Sequence, residues 1–261
     1  MNNRISDLGR ESGFMESFHT VNNIRLYSKA SGKGGMGVIF ISGLGDSSET
    51  WNEIQHRISP AASTLSYDRA GTGRSEAVPV PRTCLDLAVE LYGLLLAQDM
   101  EPPYVLVGHS FGGLVARLYA SLYPHTVSGI VLVDAAPEFK ELAYEKVLPE
   151  HLIARNREYY ENPMLNREKI DKVQSYRQVE EHARTSGIPL SIITRGLPDD
   201  SGEDWPSRAI LEVEQKLQAG FMRFSASSKQ RIAARSGHYI HHDEPEIVVE
   251  EIMIMLREAG Q

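Results

Sequence analysis

Four near-continuous apolar runs constrain this chain most: VIFI at 38–41, YVLVGH at 104–109, GIVLVD at 129–134 and PLSIITRG at 189–196. A strand with one wet face alternates apolar and polar residues, whereas a strand covered on both faces does not need to. Helical patterns lie between the runs. The stretch 85–98 has apolar residues at 85, 88, 89, 92, 95 and 96, and SFGGLVARLYASLY is helical in spacing and closed by Pro124. This alternation predicts an α/β fold with a mostly parallel central sheet flanked by helices. LSYDRA at 65–70 and KQRIAA at 229–234 supply further short strands, and FHTV and IRLYSKA read as two opening strands.

Two segments interrupt the rhythm. Residues 137–187 hold no good strand but many glutamates, arginines and tyrosines, which suits short amphipathic helices forming a lid over the strand ends. Residues 205–227 read as one core helix. The tail PEIVVEEIMIMLREAG reads as a last helix, started by a capping pattern from Asp243 to Glu246 with Pro245 in its first turn. The expected organisation is a polar arm at 1–17, a core at 18–136 and 188–261, and a helical lid at 137–187.

Lysine and arginine total 27 against 35 acidic residues, a net charge of -8, and no basic run could follow a phosphate backbone. Nucleic acid is not an expected partner. The apolar runs fall far below the roughly 20 residues that cross a bilayer. The opening MNNRISDLGRESGF lacks the apolar core of a secretory signal, so a cytoplasmic protein without a membrane span is expected. The single cysteine, Cys84, cannot form an internal disulfide and reads as a buried or half-buried structural thiol.

The chemistry centres on Gly108-His109-Ser110-Phe111-Gly112, which fits the G-x-S-x-G nucleophile elbow. The motif alone is weak, but here a strand precedes it and a helix follows, the setting it requires. A serine hydroxyl needs a base, expected near the C-terminus in the chain order serine, acid, histidine. His238, in RSGHYIHHDEP, lies on a short loop after the last strand, with a glycine before it. His241 and His242 lie nearer the helix start and read as surface residues; no second ligand cluster accompanies them, so no metal is expected. His109 reads as packing beneath the serine. An oxyanion needs two backbone N–H donors: Phe111 after the nucleophile, and Leu44 in SGLGDSSETW, between Gly43 and Gly45.

On these residues the chain resembles the α/β-hydrolase fold superfamily, of the kind with a helical cap between the sixth and seventh strands. ISGLGDSSETW resembles its oxyanion loop, YDRAGTGRSE (67–76) its turn after the fourth strand, VGHSFGGL its elbow, VLVDAAPE its sixth strand and SGHYIHHDEPEIV its histidine loop. Ser42 departs from the pattern, since many relatives carry histidine there. The resemblance implies a triad acid after the seventh strand or after the sixth. Asp199 and Asp200 are the first kind and Asp134 the second; Asp134 is favoured, because a residue at a strand end is held more firmly than one in a polar loop.

A serine hydrolase that cleaves a small carboxylic ester or lactone without a cofactor is therefore expected, with Ser110, Asp134 and His238 as triad. A serine nucleophile disfavours the alkyl-enzyme chemistry of haloalkane dehalogenases and epoxide hydrolases. The alternative class is a ligand receptor on a hydrolase scaffold, since fold does not fix function. Tyr159, Tyr160, Met164 and Tyr176 could line a pocket or pack the lid helices; Arg155, Arg157 and Arg195 could attract an anionic acyl group, although surface charge is the commoner role. No oligomeric state follows from the sequence.

Overall fold

The structure, a computed structural model, describes residues 13–182, 187–200, 202 and 204–259. Its eight strands are β1 (Met15–Val21), β2 (Ile24–Ser31), β3 (Gly37–Ile41), β4 (Ser63–Tyr67), β5 (Tyr104–His109), β6 (Val127–Val133), β7 (Leu190–Arg195) and β8 (Ser228–Ala233). They form one sheet in the order β1-β2-β4-β3-β5-β6-β7-β8. β2 pairs antiparallel with β1 and β4, and every pairing from β3 to β8 is parallel. The expected architecture is what forms. The first strand begins at Met15, so the end of the expected arm is strand, while residues 1–12 lie outside the described residues.

The helices are α1 (Asn52–Ile58), α2 (Cys84–Ala97), α3 (Phe111–Leu122), α4 (Lys140–Tyr144), α5 (Glu150–Glu161), α6 (Lys172–His182), α7 (Ser207–Ala219), α8 (Ile240–Asp243) and α9 (Pro245–Ala259). β3, β5 and β6 are buried on both faces, which explains their uninterrupted apolar runs. One core, with Ile39, Leu106 and Leu132 from the sheet, receives Leu91 of α2 and Leu118 of α3. The other, with Phe40, Val107 and Val131, receives Ile54 of α1 and Ile252 of α9. Alternate side chains of each strand thus feed opposite cores, as the two-residue period requires.

Between β6 and β7 lie α4, α5 and α6, the helices expected at 137–187; residues 183–186 of that range are outside the described residues. The expected single helix at 205–227 is interrupted: α7 stops at Ala219 and a 3₁₀ turn covers Gly220–Phe224. The expected cap on the last helix also differs. Asp243 Oδ2 accepts the Gly237 amide at 3.0 Å and lies 3.1 Å from Ser236 Oγ, so this carboxylate braces the loop that carries His238. Pro245 does open α9, where its missing N–H has no intrahelical role.

Candidate active site

Ser110 sits between the end of β5 and the start of α3 with φ 50° and ψ -121°, a strained conformation for a residue with a Cβ. The turn can be this tight because its glycines leave room. A Cβ on Gly108 would stand 2.7 Å from the carbonyl oxygen of Gly112, and one on Gly112 would stand 2.2 Å from that of Ile41. The Ser110 carbonyl accepts the amides of Gly113 at 3.0 Å and Ala136 at 2.9 Å, which ties the elbow to the residues after β6.

Asp134 follows β6 directly and also has a positive φ, 40°. Its amide donates to Ile193 of β7 at 2.8 Å, so the sheet fixes its backbone. His238 Nδ1 lies 2.6 Å from Asp134 Oδ2, while Oδ1 accepts Gln218 Nε2 of α7 at 2.9 Å. Burial alone would push the Asp134 carboxyl up. The hydrogen bond and charge of His238, with the Arg195 guanidinium and Gln218, outweigh it and hold the group down at about 2. The ionised carboxylate then fixes the tautomer of His238 with its proton on Nδ1 and leaves Nε2 to accept.

Asp199 takes a different partner. Its carboxylate pairs with Arg195, as does Glu214, 2.6 Å from Arg195 Nη2. Arg195 Nε is 3.5 Å from Asp134 Oδ2. Arg195, expected to be solvated or to attract a substrate, is therefore buried among three carboxylates. Arg155 and Arg157 are exposed, and Arg157 pairs with Glu145.

His109 packs beneath the elbow as expected, fully buried, with Nε2 3.0 Å from the carbonyl oxygen of His238. His241 does not lie at the surface: its ring stacks on Trp51 at 4.4 Å and its Nε2 is 2.7 Å from Thr50 Oγ1. Burial and the neighbouring histidines disfavour its charged form. His242 is exposed. Ser42 is buried, and its hydroxyl donates to the Ser47 carbonyl at 3.0 Å, closing the loop from inside.

Ser110, His238, Leu44 and Phe111 line one cavity of about 240 Å³. Phe111 opens α3, where an amide has no intrahelical acceptor. The loop bearing Leu44 is held by a bond that sequence reading missed. Arg69 donates to the carbonyls of Ser42 and Gly43 at 2.6 and 2.5 Å, and forms a two-pronged pair with Glu168 at 2.7 and 2.8 Å. Glu168 in turn accepts the Gly45 amide at 2.7 Å. The far wall of the cavity comes from α4, α5 and α6 through Lys140, Glu141, Tyr159, Lys172 and Tyr176. Tyr176 also packs on Tyr160, 5.9 Å between ring centroids, so Tyr176 both lines and packs while Tyr160 packs; Met164 is exposed.

A mostly parallel sheet with a serine elbow after its fifth strand defines the α/β-hydrolase class. The chain belongs to the alpha/beta hydrolase family, whose profile matches residues 38–251. It is 30% identical over 240 residues to the uncharacterized protein YqjL of Bacillus subtilis, covering 91% of this chain and 90% of that one. Among solved structures it is similar to a thermophilic esterase from Thermogutta terrifontis, with a TM-score of 0.66 and 18% identity over 95% of this chain and 100% of that one. It is also similar to a putative lipase from Acinetobacter baumannii, with a TM-score of 0.64 and 17% identity over 95% and 93%. Among the described residues no helix is long and apolar enough to cross a membrane.

Proposed function

We propose that the protein is a serine hydrolase of small carboxylic esters or lactones. The observation that carries this reading is the 2.6 Å contact of His238 Nδ1 with a buried, ionised Asp134, beside the cavity that His238 shares with Ser110. In this mechanism Ser110 Oγ bonds to the substrate carbonyl carbon as its proton passes to His238 Nε2. Asp134 stabilises the imidazolium, and the amides of Leu44 and Phe111 hold the oxyanion. Collapse breaks the bond to the alcohol oxygen, which takes the proton from His238, and leaves an acyl group on Ser110. Water, deprotonated by His238, then releases the acid and restores the serine. The helices between β6 and β7 act as the lid, which is supported by their five side chains in the cavity wall.

The test is turnover of short 4-nitrophenyl esters by the wild type and by Ser110→Ala. The expected result is hydrolysis that disappears in the variant and after treatment with a serine-reactive phosphonate. Phosphonate labelling of Ser110 without turnover on any ester or lactone would identify a receptor instead, and turnover that survives Ser110→Ala would remove the serine from the chemistry.

A further inference from the structure

Lys172 is a cation placed where a cation is hard to keep. It is 4% exposed, on α6, in the wall of the cavity that holds Ser110. An ammonium has three donors to satisfy. Among the described residues its one hydrogen-bond acceptor is Glu141 Oε1 at 3.4 Å, longer than the usual range of about 2.7–3.2 Å. Its other close neighbour is the face of Tyr159, with Nζ 3.3 Å from the ring centroid, a contact that attracts charge without using a proton. Glu141 is meanwhile shared with Tyr176, whose hydroxyl lies 3.1 and 3.0 Å from its two oxygens.

Nearby cations are placed differently. Lys140 Nζ has Glu214 at 3.1 Å, and Arg195 has three carboxylates. Lys140 lines the same cavity with its acceptor at ordinary distance, whereas among the described residues Lys172 meets its one acceptor at 3.4 Å. Burial draws its ammonium down to about 8, and the opposing pull of Glu141 does not restore it, while Lys140 adds repulsion. The other titratable groups that line the cavity are Lys140 and Glu141 on α4, Tyr159 on α5, Tyr176 on α6, Asp46 on the loop that carries Leu44, and His238 and Tyr239 after β8.

We propose that the acyl group of the substrate ends in a carboxylate, which binds Lys172 while its carbonyl carbon meets Ser110. This rests on the serine-hydrolase reading above and adds the substrate class. The acyl part is the part that stays in the cavity after the first step, and about 240 Å³ lies below the usual range of about 300–1,000 Å³ for drug-sized ligands, so the group is short. The anion supplies the acceptors that Glu141 leaves unmet, and desolvated charge-assisted bonds of this kind are the strong ones.

The test compares 4-nitrophenyl hemiglutarate with the neutral 4-nitrophenyl hexanoate in wild type, Lys172→Met and Glu141→Gln. The wild type is expected to favour the hemiglutarate in kcat/KM. Lys172→Met should raise KM for it by about 10- to 100-fold and lower kcat/KM for the hemiglutarate more than for hexanoate. Glu141→Gln removes the competing carboxylate but also the charge that helps hold the Lys172 proton, so it should tighten the hemiglutarate below neutral pH and move the fall in preference to lower pH, whereas a merely structural pair would lose activity on both esters at every pH. The ratio of the two kcat/KM values, in which shared ionisations cancel, should fall as pH rises through about 8, where the free ammonium loses its proton.

Binding of glutarate to Ser110→Ala protein, measured by calorimetry, reads the same site without turnover and should vanish when Lys172→Met is added. Hexanoate turnover with no preference for the hemiglutarate and no glutarate binding overturns the carboxylate proposal and leaves the hydrolase intact. Glutarate binding that depends on Lys172, without hydrolysis of either ester, upholds the anion site and removes the hydrolase reading.

Discussion

Glu168→Ala is the substitution whose effect the structure fixes most closely. The Glu168 side chain is 0% exposed and that of Arg69 is 2% exposed, and they meet through two hydrogen bonds of 2.7 and 2.8 Å. Removing the carboxylate leaves the buried guanidinium without its hydrogen-bonded counter-charge, with Asp46 as a weaker neighbour. Breaking a buried pair from one side costs about 3–5 kcal/mol. The Gly45 amide loses its acceptor as well, so the upper half of that range applies. At about 2–4 °C per kcal/mol for a chain of this size, Tm should fall by roughly 8–20 °C.

The double variant Arg69→Met, Glu168→Leu separates charge from packing. It removes both charges and restores most of the volume, although the carbonyls of Ser42 and Gly43 lose their donors. Its loss should therefore be real but smaller than the sum of the single losses, by about 1–3 kcal/mol of coupling. The assay is urea or thermal unfolding of wild type, Glu168→Ala, and the cycle of Arg69→Met, Glu168→Leu and their double. A Tm within about 2 °C of wild type for Glu168→Ala, or strict additivity across the cycle, would refute the reasoning.

Other expectations follow from the same geometry. Asp134→Asn should lower kcat by about 10⁴-fold, because an amide stabilises the wrong tautomer of the histidine; near wild-type turnover would move the role to another carboxylate. Asp134 is held at about 2, below its ordinary 3.8, so its contribution to stability is complete above about pH 4 and lost as pH falls towards 2. The stability gap between wild type and Asp134→Asn should therefore narrow on acidification, and a gap constant from pH 5 to 2 would contradict the ionised, hydrogen-bonded carboxylate. Burial pushes the Cys84 thiol up to about 12, so iodoacetamide at pH 8 should label it only in unfolded protein. Rapid labelling of the native chain would show that the α2 start opens.

The parts of the structure legible in the sequence are those with a local cause. A strand covered on both faces needs an apolar run, so β3, β5 and β6 announce themselves, and an elbow that admits no Cβ at Gly108 or Gly112 must carry glycines. The preference for Asp134 over Asp199 rests on the strand beneath it; Asp134 lies 2.6 Å from His238, and Asp199 pairs with Arg195. The errors have non-local causes. His241 is polar and close to a helix start, yet Trp51, far away in sequence, supplies a ring to stack on. Asp243 fits a capping pattern, but the His238 loop folds back to take its carboxylate.

The charged residues between β6 and β7 were the least legible, for a single physical reason. Composition assigns glutamates and lysines to the solvent because burying one alone is costly. Burial becomes tolerable when a partner meets the charge, and here the partners are distant in sequence: Arg69 is 99 residues from Glu168, and Glu141 is 31 from Lys172. These pairs also give the segment two distinct relations to the cavity. Glu168 is fully bonded, to Arg69 and to the Gly45 amide, and so fixes the loop that carries Leu44. Among the described residues Lys172 has one hydrogen bond, the long one to Glu141, beside the Tyr159 ring, and so retains capacity for a ligand. Loss of Glu168 should therefore appear first in stability, and loss of Lys172 in the choice of substrate.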